Sequence, residues 1–499
     1  MVRGIWFAAY LAIQLSFTLA SGAEDRWKGI APGAHDVGFR FQRTVDPTRN
    51  IDSHSRGTAL GMAIWYPAKK SGARAQFVTQ ADYRLLGFSE TLDGPAKESF
   101  LDDEAKMMVA WRHVGIVPLT IEQARASLAT TGRAVRGAVQ AAGKFPVVVV
   151  LGGPWYLSTT AEILAANGFL VVAPVRFSDQ STEVPISNFS SYLGESVRDA
   201  EWALAEMRRD PAADVTKASA IGHGGGGMQA LVLAMQNRGI RAVANIDAGN
   251  FSTRSNPRQL QFYDPRLVRV PYLYIATAGT RQESDQFADF EQMRFSRRYE
   301  VILQNPALRH HDLSDVGRGV STPLGIRGDE QEMVLRHYAD VQQMLVRFLR
   351  GDPATYTPWL KNLGGSYSVT ARDAVEPAPT VAEVLRSLND NSLAKLNEAR
   401  RRDPDAELFS EGQMRRLVIA ARIRNQAALA VKLVRFELEL HPKSIGTHEL
   451  AVETLEAAGE RSPAVELARQ CLALPVPQND WRARDAHAQC EARLRQLNK

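Results

Sequence analysis

The stretch "IGHGGGGMQA", residues 221–230, decides the fold. "KASAIG" (217–222) leads into it as a strand, and "MQALVLAMQNRG" (228–239) follows as a helix. Two motifs fit a strand–turn–helix of this kind. Read as G-x-G-x-x-G on Gly222, Gly224 and Gly227, it is a dinucleotide fingerprint. Asp247, 20 residues past Gly227, then stands where a ribose-binding acid belongs. Read as G-x-S-x-G, it is a nucleophile elbow with Gly224 in the place of the serine.

The surrounding chain separates the two. "FPVVVVLGG" (145–153) and "FLVVAPV" (169–175) are continuous apolar runs, the pattern of strands buried on both faces. They precede the glycines, whereas a dinucleotide fingerprint sits on the first strand of its domain. Further strands are predicted at 241–247, 270–278 and 299–304. Helices alternate with them at 160–168, 194–210, 228–239 and 330–351. The alternation predicts an α/β fold with a doubly wound, mostly parallel sheet, whose ligand sites lie at strand carboxyl ends. Residues 33–70 alternate as β-structure, and 78–142 read as a mostly helical insertion. The elbow reading also finds partners in hydrolase order: position 224, then Asp247, then His310 in "LRHHDLSD".

With these pieces in place, residues 33–350 resemble the α/β-hydrolase group that includes dienelactone-hydrolase-like proteins and platelet-activating-factor acetylhydrolases. Their elbow reads G-H-S-x-G-G, where this chain has Gly222-His223-Gly224-Gly225-Gly226-Gly227. Their acid follows the next strand in an LDG-like turn, here "IDAG" with Asp247. Their histidine opens an H-x-x-F-S-D-like segment, here His310, with Leu313 for the aromatic. Their N-terminal strand ends near "WYP", here Trp65-Tyr66-Pro67. The resemblance implies an ester or amide hydrolase site built on Asp247 and His310. It also implies an oxyanion hole from the Gly225 N–H and the loop after strand 145–151.

Two departures bear on that chemistry. Gly224 has no oxygen with which to attack a carbonyl, and Pro154, in the oxyanion loop, has no N–H to donate. The expectation is a hydrolase fold without serine chemistry, kept as a binding or scaffold module for an ester-like or amide-like ligand. The alternatives are an ester or amide hydrolase that uses another nucleophile or a histidine-activated water, and a dinucleotide-binding protein. Ser158, Thr159 and Thr160 follow the oxyanion loop, but no pattern marks one of them as a substitute nucleophile. No cofactor is expected, and no metal either. His310, His311 and Asp312 are neighbours in an extended loop, so their side chains point apart, and no third ligand has ligand spacing.

Outside this region, Arg3, the apolar run 5–19 and the small residues 20–23 describe a secretory signal cut after Ala23, hence an exported protein. The chain carries 60 basic and 55 acidic residues of 499, a balance that gives no argument for nucleic acid as a partner. No later run is long enough to span a membrane. "NLGGSYSVTARDAVEPAPT" (362–380) reads as a linker between a first domain (24–361) and a helical one (381–499). Within the latter, Leu417 and Ala451, Asn425 and Gly459, and Ala430 and Ala464 correspond at an offset of 34. That period resembles tetratricopeptide-type hairpins and implies a surface for a protein partner. Cys471 and Cys490 stand as either a disulfide or two free thiols.

Overall fold

The structure is a computed structural model. It describes residues 26–27, 29–49, 57–70, 75–88, 94–110, 119–177, 189–248, 257, 260, 262–283, 286–317 and 327–499. The expected signal peptide lies outside them. The chain divides into two compact units between Ala374 and Val375.

The first unit is built on one sheet. Its strands are β1 (Asp36–Asp46), β2 (Thr58–Ala68), β3 (Phe77–Thr79), β4 (Thr131–Arg136), β5 (Phe145–Leu151), β6 (Leu170–Arg176), β7 (Ala213–His223), β8 (Ile240–Ile246), β9 (Tyr272–Thr277), β10 (Arg298–Leu303) and β11 (Tyr367–Arg372). They pair in the order β11-β10-β9-β8-β7-β5-β6-β2-β1-β4-β3. The pairs from β6 through β5, β7, β8 and β9 to β10 are parallel, and β2 runs antiparallel to both β1 and β6. The run β1-β2-β6-β5-β7-β8-β9-β10 is the strand order of an α/β-hydrolase sheet.

The apolar runs explain why the sheet is covered on both sides. Successive side chains of a strand face opposite ways. Val148 and Val150 of β5 join one core, with Leu157 and Ala161–Ala166 beside them and Tyr338–Leu349 from the helix Gln331–Arg350. Val147, Val149 and Leu151 join the other, with Leu193–Met207 and Met228–Met235 from the helices Phe189–Met207 and Gly225–Gln236.

Two expectations are corrected here. The insertion 78–142 contains the helices Gln80–Leu85, Gly94–Ala110 and Ile121–Leu128, but it also carries β3 and β4. β4 lies parallel to β1 and widens the sheet rather than capping the site. The linker 362–380 likewise begins with a strand. Its "YSVTAR" combines an aromatic with β-branched residues and pairs antiparallel with β10; the glycines before it are a turn into the edge strand.

One buried polar contact ties distant segments of this unit together. Glu162, fully buried in the helix Ser158–Ala166, accepts hydrogen bonds from the Trp27 indole (3.1 Å), the Tyr83 hydroxyl (3.0 Å) and the Arg133 backbone N–H (2.8 Å). Its carboxyl is pushed above the usual range by burial, against which Arg26 and these three donors act.

The second unit is helical apart from its connections. Helices Glu411–Ile423 and Ala427–Leu440 are repeated, at an offset of 34, by Ile445–Ala457 and Arg461–Ala473. The turns match as well: Asn425 (φ 58°) and Gly459 (φ 79°) both take the left-handed conformation. Cys471 and Cys490 are bonded and join Arg461–Ala473 to the last helix, Trp481–Leu497. Among the described residues, no helix is long and apolar enough to cross a membrane.

The bridge closes a loop of 19 residues, for which unfolded-chain entropy gives about 3 kcal/mol. Replacing both cysteines by serine should lower the unfolding free energy of the helical unit by that order and its urea midpoint with it, as followed by circular dichroism. A midpoint indifferent to the replacement would contradict a stabilising bridge.

Candidate active site

The glycine run forms a tight turn between β7 and the helix that follows. That helix begins at Gly225, inside the run, rather than at Met228. The reason is steric. A Cβ on Gly222 would collide with the Gly226 backbone, one on Gly226 with the Leu151 carbonyl, and one on Gly227 with the Asn245 side chain. Helix, β7, β5 and β8 therefore meet at a point where side chains cannot fit. Glycine's poor helix propensity, about 1 kcal/mol against alanine, hides such a helix from a reading of the sequence.

Gly224 sits between strand and helix at φ 54°, ψ −125°. This conformation is costly for residues with a Cβ and cheap for glycine. It is a nucleophile elbow in all but the nucleophile. The Gly224 N–H donates to the Ile246 carbonyl (2.9 Å), which holds the turn against β8. Gly225, as the first helical residue, has an N–H with no intrahelical acceptor, so it is free to act as the expected oxyanion donor. Pro154 follows Gly152 and Gly153, both with positive φ, in the loop after β5. It supplies bulk there, without a donor.

The other two expected residues come together. Asp247, at the end of β8, is fully buried and also has positive φ (49°). Its Oδ2 lies 2.9 Å from His310 Nδ1. The Thr277 backbone N–H (2.7 Å) and the Thr280 hydroxyl (3.0 Å) complete its bonding. Nδ1 of His310 therefore carries the proton and Nε2 the lone pair. A Cβ built on Gly224 would stand 3.2 Å from that Nε2. Position 224, Asp247 and His310 thus come together as the sequence reading expects, with no side chain at 224.

His310 is not in an extended loop, which corrects the expectation against a cluster there. Residues His310–Leu313 form a single 3₁₀ turn. Asp312 faces away, accepting from the Arg309 N–H (2.9 Å) and the Arg327 guanidinium (3.1 Å). His311 turns toward the elbow, where His223 waits. His223 Nε2 donates to the His310 carbonyl at 3.0 Å. One ring nitrogen from each of His223, His310 and His311 lies within 4.8 Å of the other two. Burial pushes His223 well below the usual histidine range, and the neighbouring His310 and His311 push the same way. Burial takes His311 down to about 3, with His310 adding to it. Both rings are neutral at neutral pH. The third member was invisible in spacing because His223 is 87 residues from His310; only the "HH" doublet and the histidine inside the elbow hinted at it.

A second residue missed in the sequence is Asp315. Its buried carboxylate accepts from the Ser158 hydroxyl and the Thr159 N–H, both at 2.7 Å, and its own N–H donates to the Tyr156 carbonyl (2.8 Å). The histidine turn is thereby fastened to the oxyanion loop. Ser158 is fully buried in that contact, and its hydroxyl proton goes to a carboxylate rather than to His310. Thr159 and Thr160 are buried as well. Beside the loop, Tyr83, Arg84, Trp155, Arg176 and Tyr192 line a cavity of about 380 Å³, with the Arg84 guanidinium 3.6 Å from the Trp155 ring centre.

No protein-family model matches the chain, and no curated protein matches it. Among solved structures it is similar to a ferulic acid esterase from Streptomyces cinnamoneus, at 16% identity and a TM-score of 0.44, over 69% of this chain and 98% of that one. The fold is established by the strand order and the elbow, not by this likeness.

The glycines differ in what they would tolerate. Gly224→Ser meets the movable edge of an imidazole and an unfavourable backbone conformation, which together should cost about 1–3 kcal/mol. Gly222→Ala meets backbone and should cost more. Thermal denaturation of both variants checks this order; a Gly224→Ser protein as stable as the parent would contradict a strained elbow at 224.

Proposed function

We propose that this chain is an exported hydrolase-fold protein that has lost serine chemistry and uses the retained site to bind a ligand. The observation that carries the reading is the triad frame around Gly224. The acid and histidine keep a 2.9 Å hydrogen bond and the elbow keeps its conformation, yet position 224 ends at Cα. Acyl transfer needs an oxygen there, and in a well-studied protease removal of the serine costs roughly a factor of a million in turnover. The cavity beside the oxyanion loop suits an ester-like or amide-like ligand with an aromatic or apolar part, given its Tyr83, Trp155 and Tyr192 lining. The helical unit, with its 34-residue repeat, is proposed as a tetratricopeptide-like surface for a protein partner. Export is supported by the basic–apolar–small N-terminus and by the Cys471–Cys490 bridge, a bond suited to an oxidising compartment.

A second reading, hydrolysis by a water that His310 activates, has one observation in its favour: the Nε2 lone pair points at the vacated serine position. The dinucleotide reading is disfavoured because Asp247 is committed to His310, Thr277 and Thr280.

A serine-reactive fluorophosphonate, applied beside a panel of small activated esters, separates these readings. The expected result is no labelling and no turnover by the parent chain, with labelling gained in Gly224→Ser and lost again in the Gly224→Ser, His310→Ala double variant. Turnover by the parent chain that disappears with His310→Ala would overturn the binding-only reading.

A further inference from the structure

We propose that His223, His310 and His311 bind a first-row divalent transition-metal ion of the zinc type in the space beside Gly224. This rests on the reading above, that the site is kept for binding, and it names a ligand for that site.

Imidazole nitrogens suit such an ion, and three of them are a known donor set for zinc. Here they converge from two separate elements, the end of β7 and the 3₁₀ turn His310–Leu313. One ring nitrogen of each lies within 4.8 Å of one from each of the others. Around a zinc ion with bonds of about 2.0–2.1 Å, tetrahedral donors stand about 3.4 Å apart. Closing the trio therefore takes at most about 1.5 Å per pair, within the reach of imidazole rotation.

Three features fit a metal, the first of them shared with a triad and the other two not. The first is the Asp247–His310 contact itself. A carboxylate that takes the Nδ1 proton and leaves Nε2 as donor is the outer-shell arrangement of metal-bound histidines. The second is His223, whose Nε2–H is likewise taken by an oxygen acceptor, the His310 carbonyl, so that its lone pair is on Nδ1. The third is His311: its ring is buried, and its Nδ1 has no hydrogen-bond partner. A buried polar atom of this kind costs free energy unless something satisfies it.

Gly224 then acquires a reason to be glycine. A Cβ there would stand 3.2 Å from His310 Nε2 and 3.3 Å from Cε1, against the lone pair that an ion must approach. Three protein donors leave the fourth position of a tetrahedral ion open to water or to an anionic ligand.

The test uses the full chain, stripped with a chelator and titrated with Co²⁺ and then Zn²⁺. One equivalent of Co²⁺ should give the visible absorption of a four-coordinate site, and Zn²⁺ should displace it. His310→Gln and His311→Ala should each weaken binding at least a hundredfold. Asp247→Asn should weaken it about 10–100-fold. His441→Ala, in the helical unit, should leave it unchanged. Circular dichroism on each variant confirms the fold, and His310→Gln, at a half-buried ring, guards against loss by unfolding. Absence of saturable binding at millimolar metal, or binding indifferent to His310→Gln and His311→Ala, overturns this proposal and leaves the binding-only reading standing. Ester turnover by the metal-stripped parent chain overturns that reading instead.

Discussion

The site depends on one steric constraint: at the start of the helix Gly225–Gln236, three backbones pass too close for side chains. Gly222 and Gly226 touch across the turn, Gly226 touches the Leu151 carbonyl of β5, and Gly227 abuts Asn245 of β8. Their closeness puts the orphan N–H groups of the helix at the carboxyl ends of β5, β7 and β8. Asp247 enters from the same place, one residue past β8. The unusual backbone at Gly224 follows from this crossing, since the chain must reverse within a single residue between a strand and a helix already in contact.

A second fastening fixes the histidines against that crossing. Asp315 holds Ser158, Thr159 and Tyr156, so the 3₁₀ turn carrying His310 and His311 cannot move without dragging the oxyanion loop. The dyad is held by the burial of Asp247 and by its hydrogen bonds to His310, Thr277 and Thr280. The Asp247–His310 bond at 2.9 Å also satisfies a fully buried carboxylate.

Much of this was legible in the chain itself, and the limits have physical causes. The buried strands announced themselves because "VVVV" and "LVVAPV" have no polar face to show. Gly224, Asp247 and His310 were found because hydrolase order is a one-dimensional signal. The His223–His311 approach was not, since it exists only after an 87-residue excursion returns to the elbow. β4 and β11 were missed for another reason. Both are short strands of six residues near or at a sheet margin, and their neighbours, helices in one case and glycines in the other, dominate any local pattern. The helix start at Gly225 was misplaced by three residues because propensity argued against it and close packing overrode propensity. In the helical unit the offset of 34 between Asn425 and Gly459 carried through to the backbone, where both residues turn left-handed. The asparagine can stand where glycine does because its side chain tolerates that conformation.

Glu162 has a consequence for how the first unit comes apart. Its carboxylate collects donors from residues 27, 83 and 133, which belong to the segment before β1, to the helix Gln80–Leu85 and to β4. None of those segments can peel away alone without stranding a buried carboxylate. These peripheral pieces should exchange their amide hydrogens together with the central strands, as one cooperative body.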